Sequence, residues 1–131
     1  MQRRTIMIVD ETPDHRSILR RLLAAVGYRV LEAASGADAL DQARDARPDL
    51  ILMALSLPGQ PGWDTARLLH DQPALANTPI LGTTLYNTLL TAPRARSIGC
   101  ADYVDKPFDL DDLLYRISKL IPDMPRPALA A

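Results

Sequence analysis

Four consecutive apolar residues, Leu50, Ile51, Leu52 and Met53, stand between Pro48 and a Pro/Gly-rich run from Leu57 to Gly62. The run is short for a globular helix, and it lacks the alternation of a strand with one wet face. It reads as a strand of a parallel sheet, covered on both faces. Such a strand needs other strands beside it and helices above and below. Ala54 closes the strand at its C-terminal end, where open α/β sheets place ligands and chemistry.

The rest of the chain supplies those layers. Thr5–Val9, Arg29–Ala33, Pro79–Thr83 and Asp102–Val104 read as four further strands. Helical spacing over Asp14–Val26 puts Ile18, Leu19, Leu22, Leu23 and Val26 on one face, with Gly27 as its stop. Arg16, Arg20 and Arg21 lie mainly off that face. Ser35 is placed to cap a helix from Gly36 to about Ala46 that buries Ala39, Leu40 and Ala43. Trp63 to about Asp71 is a third helix, with Trp63 as a packing anchor, followed by a polar connection over Gln72–Thr78. Thr91 to Gly99 is a fourth, with Pro93 in its first turn. Asp109 caps a fifth, whose apolar side is Leu110, Leu113, Leu114, Ile117 and Leu120. Five strands alternating with five helices imply an α/β fold, a doubly wound five-stranded parallel sheet of flavodoxin-like type. One domain covers residues 1–121, and the Pro- and Ala-rich residues 122–131 read as a tail.

Composition narrows the function classes. The 131 residues carry a net charge of −1 and are 47% apolar, which is globular and not basic. Nothing in that balance favours nucleic acid or an anionic membrane. Cys100 is the single cysteine, so an internal disulfide and CxxC chemistry are excluded. No apolar run approaches the ~18 residues of a membrane span. The basic N-terminus precedes too short an apolar segment for a signal peptide, so the expectation is a soluble cytoplasmic protein. His15 and His70 have no metal-ligand partners at suitable spacing and read as solvated.

The polar residues at strand ends share one edge of this sheet. Asp10 and Glu11 follow the first strand, Thr84 the fourth, and Lys106 the fifth. Two adjacent carboxylates suit a hard cation, and a hydroxyl with an ammonium suits an anion such as a phosphoryl group. Singly, each is an ordinary strand-end residue. Their coincidence at one edge is the functional signal.

In this order, IMIVDE, GYRVLEAASGADAL, RPDLILMALSLPGQPG, PILGTT and IGCADYVDKPFDLDDLL resemble the receiver domain of bacterial two-component response regulators. The resemblance covers about Thr5 to Ile121, and KPF with Tyr103 three residues before Lys106 is its most specific element. It implies a cytoplasmic signalling protein, not an enzyme, whose partners are a histidine kinase or another signalling protein. In that family an aspartate ending the third strand accepts a phosphoryl group, and an acid pair holds magnesium. A Thr or Ser, a Lys and an aromatic residue then carry the switch. By position, Asp10 and Glu11 match the acid pair, Thr84 the hydroxyl, Lys106 the lysine and Tyr103 the aromatic.

Ala54 matches the nucleophile, and a methyl group has no oxygen for an acyl phosphate or a metal. Ser56, two residues on, is a poor substitute, because the family's loop turns away there. Glu11 stands where the family usually has Asp, one methylene shorter. The resemblance therefore implies a degenerate magnesium site at Asp10 and Glu11, with weak or absent binding and no other cofactor. The main expectation is a pseudo-receiver acting by protein–protein interaction without phosphorylation. One alternative is an ordinary regulator carrying an engineered Ala54. Another is a small ligand-binding or enzymatic domain on the same fold, against which the missing Gly-rich phosphate loop counts. In that family the surface of the fourth helix, fifth strand and fifth helix commonly makes dimers or contacts outputs, so the resemblance implies a homodimer through it as one option.

Overall fold

The computed structural model describes residues 3–55, 62–85, 99–106 and 109–121, with residues 62–64, 84, 85, 105 and 106 described by backbone alone. The five expected strands are present: β1 (Thr5–Val9), β2 (Arg29–Ala33), β3 (Leu50–Ala54), β4 (Ile80–Leu85) and β5 (Asp102–Lys106). They pair in parallel in the order β2-β1-β3-β4-β5. Among the described residues there are four α-helices: α1 (Pro13–Val26), α2 (Gly36–Ala46), α3 (Gly62–His70) and a C-terminal helix (Leu110–Leu120). The expected helix at Thr91–Gly99 lies outside the described residues except for Gly99, and so do the Leu57–Pro61 loop and the 122–131 tail.

Strand alternation sorts the core into two layers. Ile6, Ile8, Leu50, Leu52, Leu81 and Val104 pack with Leu19, Leu23 and Val26 of α1 and Leu113 and Ile117 of the C-terminal helix. Met7, Val9, Ile51, Met53 and Ile80 pack with Ala39 and Ala43 of α2 and Ala66 and Leu69 of α3. β3 contributes to both layers, and Leu50–Met53 are at most 1% exposed. Each of those side chains gives about 1.5–3 kcal/mol on burial.

Local chemistry sets the helix ends. Ser35 Oγ accepts from the Asp38 N–H at 3.1 Å, and Asp38 Oδ2 accepts from the Ala34 N–H at 3.4 Å. Ser35 thus caps the helix, and Asp38 reaches back one residue beyond it to the Ala34 N–H. Asp109 Oδ1 caps the last helix from the Asp111 N–H at 2.9 Å. Gly27 ends α1 at φ 108°, a left-handed conformation that glycine adopts without Cβ strain. Arg47 ends α2 in the same region at φ 48° and, being non-glycine, carries that strain.

Several sequence expectations need correction. Ile18 is 57% exposed and Leu110 41%, so neither belongs to the core. Each lies at the margin of its helix's apolar stripe, beyond the width that the sheet covers. The polar connection after α3 contains a 3-10 turn, Pro73–Leu75, that buries Leu75 completely. His70 is half-buried, with Nε2 2.9 Å from the Thr78 carbonyl, and is not a solvated histidine. Gly99, at φ 98°, closes on it: a Cβ there would lie 2.9 Å from His70 Nδ1.

Replacing Arg47 by Gly removes the Cβ strain at φ 48° and raises unfolding stability by about 0.5–1 kcal/mol, after the entropy cost of glycine in the unfolded chain. Urea denaturation should show a higher midpoint at an unchanged m-value.

Candidate functional site

The strand order reverses direction between β1 and β3, and the crevice outside their C-terminal ends is the ligand position of an open α/β sheet. Val9 pairs with Met53, Met53 with Gly82, and Gly82 with Tyr103. One residue further on, Ala54 pairs with Thr83 and Thr83 with Val104. Asp10 follows Val9 directly, so Asp10 and Ala54 flank the switch point from its two strands. Thr84 lies one residue beyond the Ala54–Thr83 pair, opposite Asp105, and Lys106 pairs with Leu85. The backbone thus gathers Asp10, Ala54, Thr84 and Lys106 at one edge. Thr84 and Lys106 lie within β4 and β5, one and two residues beyond the strand ends expected from sequence. Their side chains, and Ser56, lie outside what is described.

Asp10 is the buried charge of this edge, at 3% exposure. Its Oδ1 accepts from the Thr12 N–H at 2.9 Å, an Asx-type turn that starts α1. Its Oδ2 stands 3.5 Å from His15 Nδ1. Arg16 Nη1 donates to the Asp10 carbonyl at 2.7 Å, and Arg16 Nε lies 3.4 Å from Glu32 Oε1. His15 and Arg16 were read from the sequence as surface residues. Both turn towards Asp10, because the first turn of α1 begins three residues after it. The signal was their spacing of five and six residues from a strand-end aspartate. Glu11, in contrast, is exposed. Ala54 is 7% exposed, so its methyl sits in the sheet edge and not in solvent.

Thr83, the neighbour of Ala54, is 3% exposed, and its hydroxyl has no hydrogen-bond partner among the described residues. Tyr103 is half-buried and packs against the α2/α3 layer. Its main-chain N–H donates to Asp102 Oδ1 at 2.8 Å. Arg116, from the C-terminal helix, reaches both Asp102 carboxylate oxygens at 2.9 and 2.8 Å through Nη1. Its Nε donates to Asp112 at 2.9 Å. The Asp112 and then the Asp102 hydrogen bonds hold the guanidinium above its ordinary pKa. Asp102, Asp109 and Asp112 are therefore engaged within the chain. Cys100 is buried, and burial pushes its thiol up to about 12. A protonated thiol at neutral pH is a packing group, as expected from sequence.

The family model of the response regulator receiver domain matches residues 6–118. The chain belongs to the response regulator receiver domain family, whose members are signalling proteins. Among its relatives, the polar-differentiation response regulator DivK of Brucella anthropi is 32% identical over 120 residues, 92% of this chain and 98% of DivK. A putative response regulator from Chloroflexus aurantiacus superposes with a TM-score of 0.87 at 30% identity, over 92% of this chain and 99% of that one. The chemotaxis regulator CheY4 of Vibrio cholerae gives 0.84 at 26%, over 91% and 99%. The receiver domain of the sensor histidine kinase PA1611 of Pseudomonas aeruginosa, with magnesium coordinated in its active-site cleft, gives 0.84 at 27%, over 93% and 100%. No described helix is long and apolar enough to cross a membrane.

The described donors do not fit a magnesium ion of that kind. Among the described residues, no three His, Cys, Asp or Glu side chains stand close enough to share a metal. Asp10 is engaged at both oxygens, Glu11 points to solvent-exposed space, and position 54 offers no oxygen. Magnesium needs near-octahedral oxygen coordination.

Thr83→Val removes a buried orphan hydroxyl and should raise stability by about 1 kcal/mol, read as a higher urea midpoint. Cys100 should resist a thiol reagent at pH 8 in the native protein and react fully in denaturant, measured by absorbance.

Proposed function

We propose that this chain is a receiver domain that signals by protein–protein contact without being phosphorylated. The carrying observation is the methyl group of Ala54 at the switch-point edge, where the reaction needs a carboxylate. An acyl phosphate forms when a carboxylate oxygen attacks phosphorus; alanine has no such atom. Ser56 would give a much less labile ester and is not a substitute. The chain is accordingly not an enzyme on this reading, and magnesium binding at Asp10 and Glu11 is weak or absent. Thr84, Tyr103 and Lys106 are retained parts of a switch whose input has gone.

The output is binding, to a histidine kinase or another signalling protein of the cytoplasm. A partner controls such a domain only by binding two of its conformations unequally. The surface of β5 and the C-terminal helix is the candidate contact, for a partner or for a second copy. Exposed Tyr115, with Lys119 Nζ 5.2 Å from its ring centroid, lies on that helix. The Arg116 network fixes the helix to β5 and so fixes the shape of that surface. The coincidence of Glu11 with Ala54 favours drift of the whole site over a single engineered change.

Incubation with magnesium and a small phosphodonor, followed by intact-mass measurement, tests this reading. The unmodified chain should show no phosphate adduct; an adduct would overturn the proposal. Ala54→Asp separates the two origins of Ala54. An adduct on that variant indicates an otherwise working site, and no adduct indicates drift that includes Glu11.

A further inference from the structure

His15 stands against the one oxygen of Asp10 that the Asx turn leaves over. Thr12 takes Oδ1, Arg16 takes the main-chain carbonyl, and the imidazole Nδ1 sits 3.5 Å from Oδ2. The carboxylate is 4% exposed and the imidazole 41%. The ring is thus the more exposed member of the pair, in contact with a carboxylate that is itself nearly buried. An ion bonded to Oδ2 at about 2.1 Å carries its waters about 2.1 Å further out. Such a shell reaches roughly 4 Å from that oxygen along the ion's direction, so an ion approaching Oδ2 from the ring's side meets Nδ1 at 3.5 Å. Imidazole is also a donor for softer metals and not for magnesium. Asp10 has thus acquired a structural task, the start of α1, together with a partner from its own chain.

We propose that His15 is a specificity-determining residue of this pocket: its imidazole takes the place of the hydrated cation at Asp10, closing the site to magnesium independently of Ala54. This rests on the non-phosphorylated reading above but is tested apart from it. The consequence is that His15 is a cause of weak magnesium binding separable from Ala54. Restoring the carboxylate at position 54 leaves that cause in place.

Magnesium alone is titrated into ¹⁵N-labelled Ala54→Asp and into Ala54→Asp with His15→Ala, following the Thr12 amide. The double variant should bind magnesium at least fivefold more tightly than the single one. A smaller gain overturns the proposal, because the ring would then not compete with the ion. If the double variant does not fold, His15→Gln replaces His15→Ala, since glutamine keeps a polar, helix-compatible side chain without the ring. The same fivefold criterion applies. No phosphodonor is present, so this outcome is independent of whether the unmodified chain can be phosphorylated.

Discussion

Burial of β3 on both faces is the constraint on which the molecule depends. Its residues alternate between two helical layers, so Leu50 and Leu52 face α1 and the C-terminal helix while Ile51 and Met53 face α2 and α3. Removal of either layer would leave a strand of large apolar side chains in water. The same strand forms one side of the sheet's switch point, with β1 on the other. Stability and site position are thus set by one element. Ala54 closes that strand, 7% exposed, with a methyl group at the site edge.

Polar contacts around this core fasten loops and do not drive folding. Asp49 anchors the start of β1 through the Thr5 N–H at 2.7 Å, with Arg4 Nη1 3.3 Å from its other oxygen. Gln42 donates to the Glu32 carbonyl at 2.7 Å and so covers part of the edge strand β2. Arg116 does comparable work at the opposite edge. These groups are partly exposed, where an isolated ion pair contributes at most about 1 kcal/mol. Their value lies in fixing orientation at the two sheet edges.

Strand identity, the parallel arrangement and the caps at Ser35, Gly27 and Asp109 were legible in the sequence, because period, length and turn chemistry are local properties. The ends of β4 and β5 were not. Thr84 and Lys106 are polar, and their strand pairing is decided by the neighbouring strand and not by their own propensity. The outer limit of a helix's buried stripe was also not legible, which is why Ile18 and Leu110 were misplaced. At the candidate site, the positions of Asp10, just after β1, and Ala54, the last residue of β3, were legible from the strand pattern. His15 and Arg16 were missed, because their contacts with Asp10 depend on how tightly the chain turns from β1 into α1. His70 was missed for the same reason: its carbonyl partner lies in the approach to β4.

The proposed role, contact with a partner without phosphorylation, rests on the methyl group at position 54. The direct measurement is the amide spectrum of the unmodified, ¹⁵N-labelled chain before and after addition of magnesium with a small phosphodonor. Resonances of Thr84, Tyr103 and Lys106 should stay within the linewidth of their starting positions. A second set of resonances at those three residues, appearing only with the phosphodonor, would contradict a phosphorylation-independent domain.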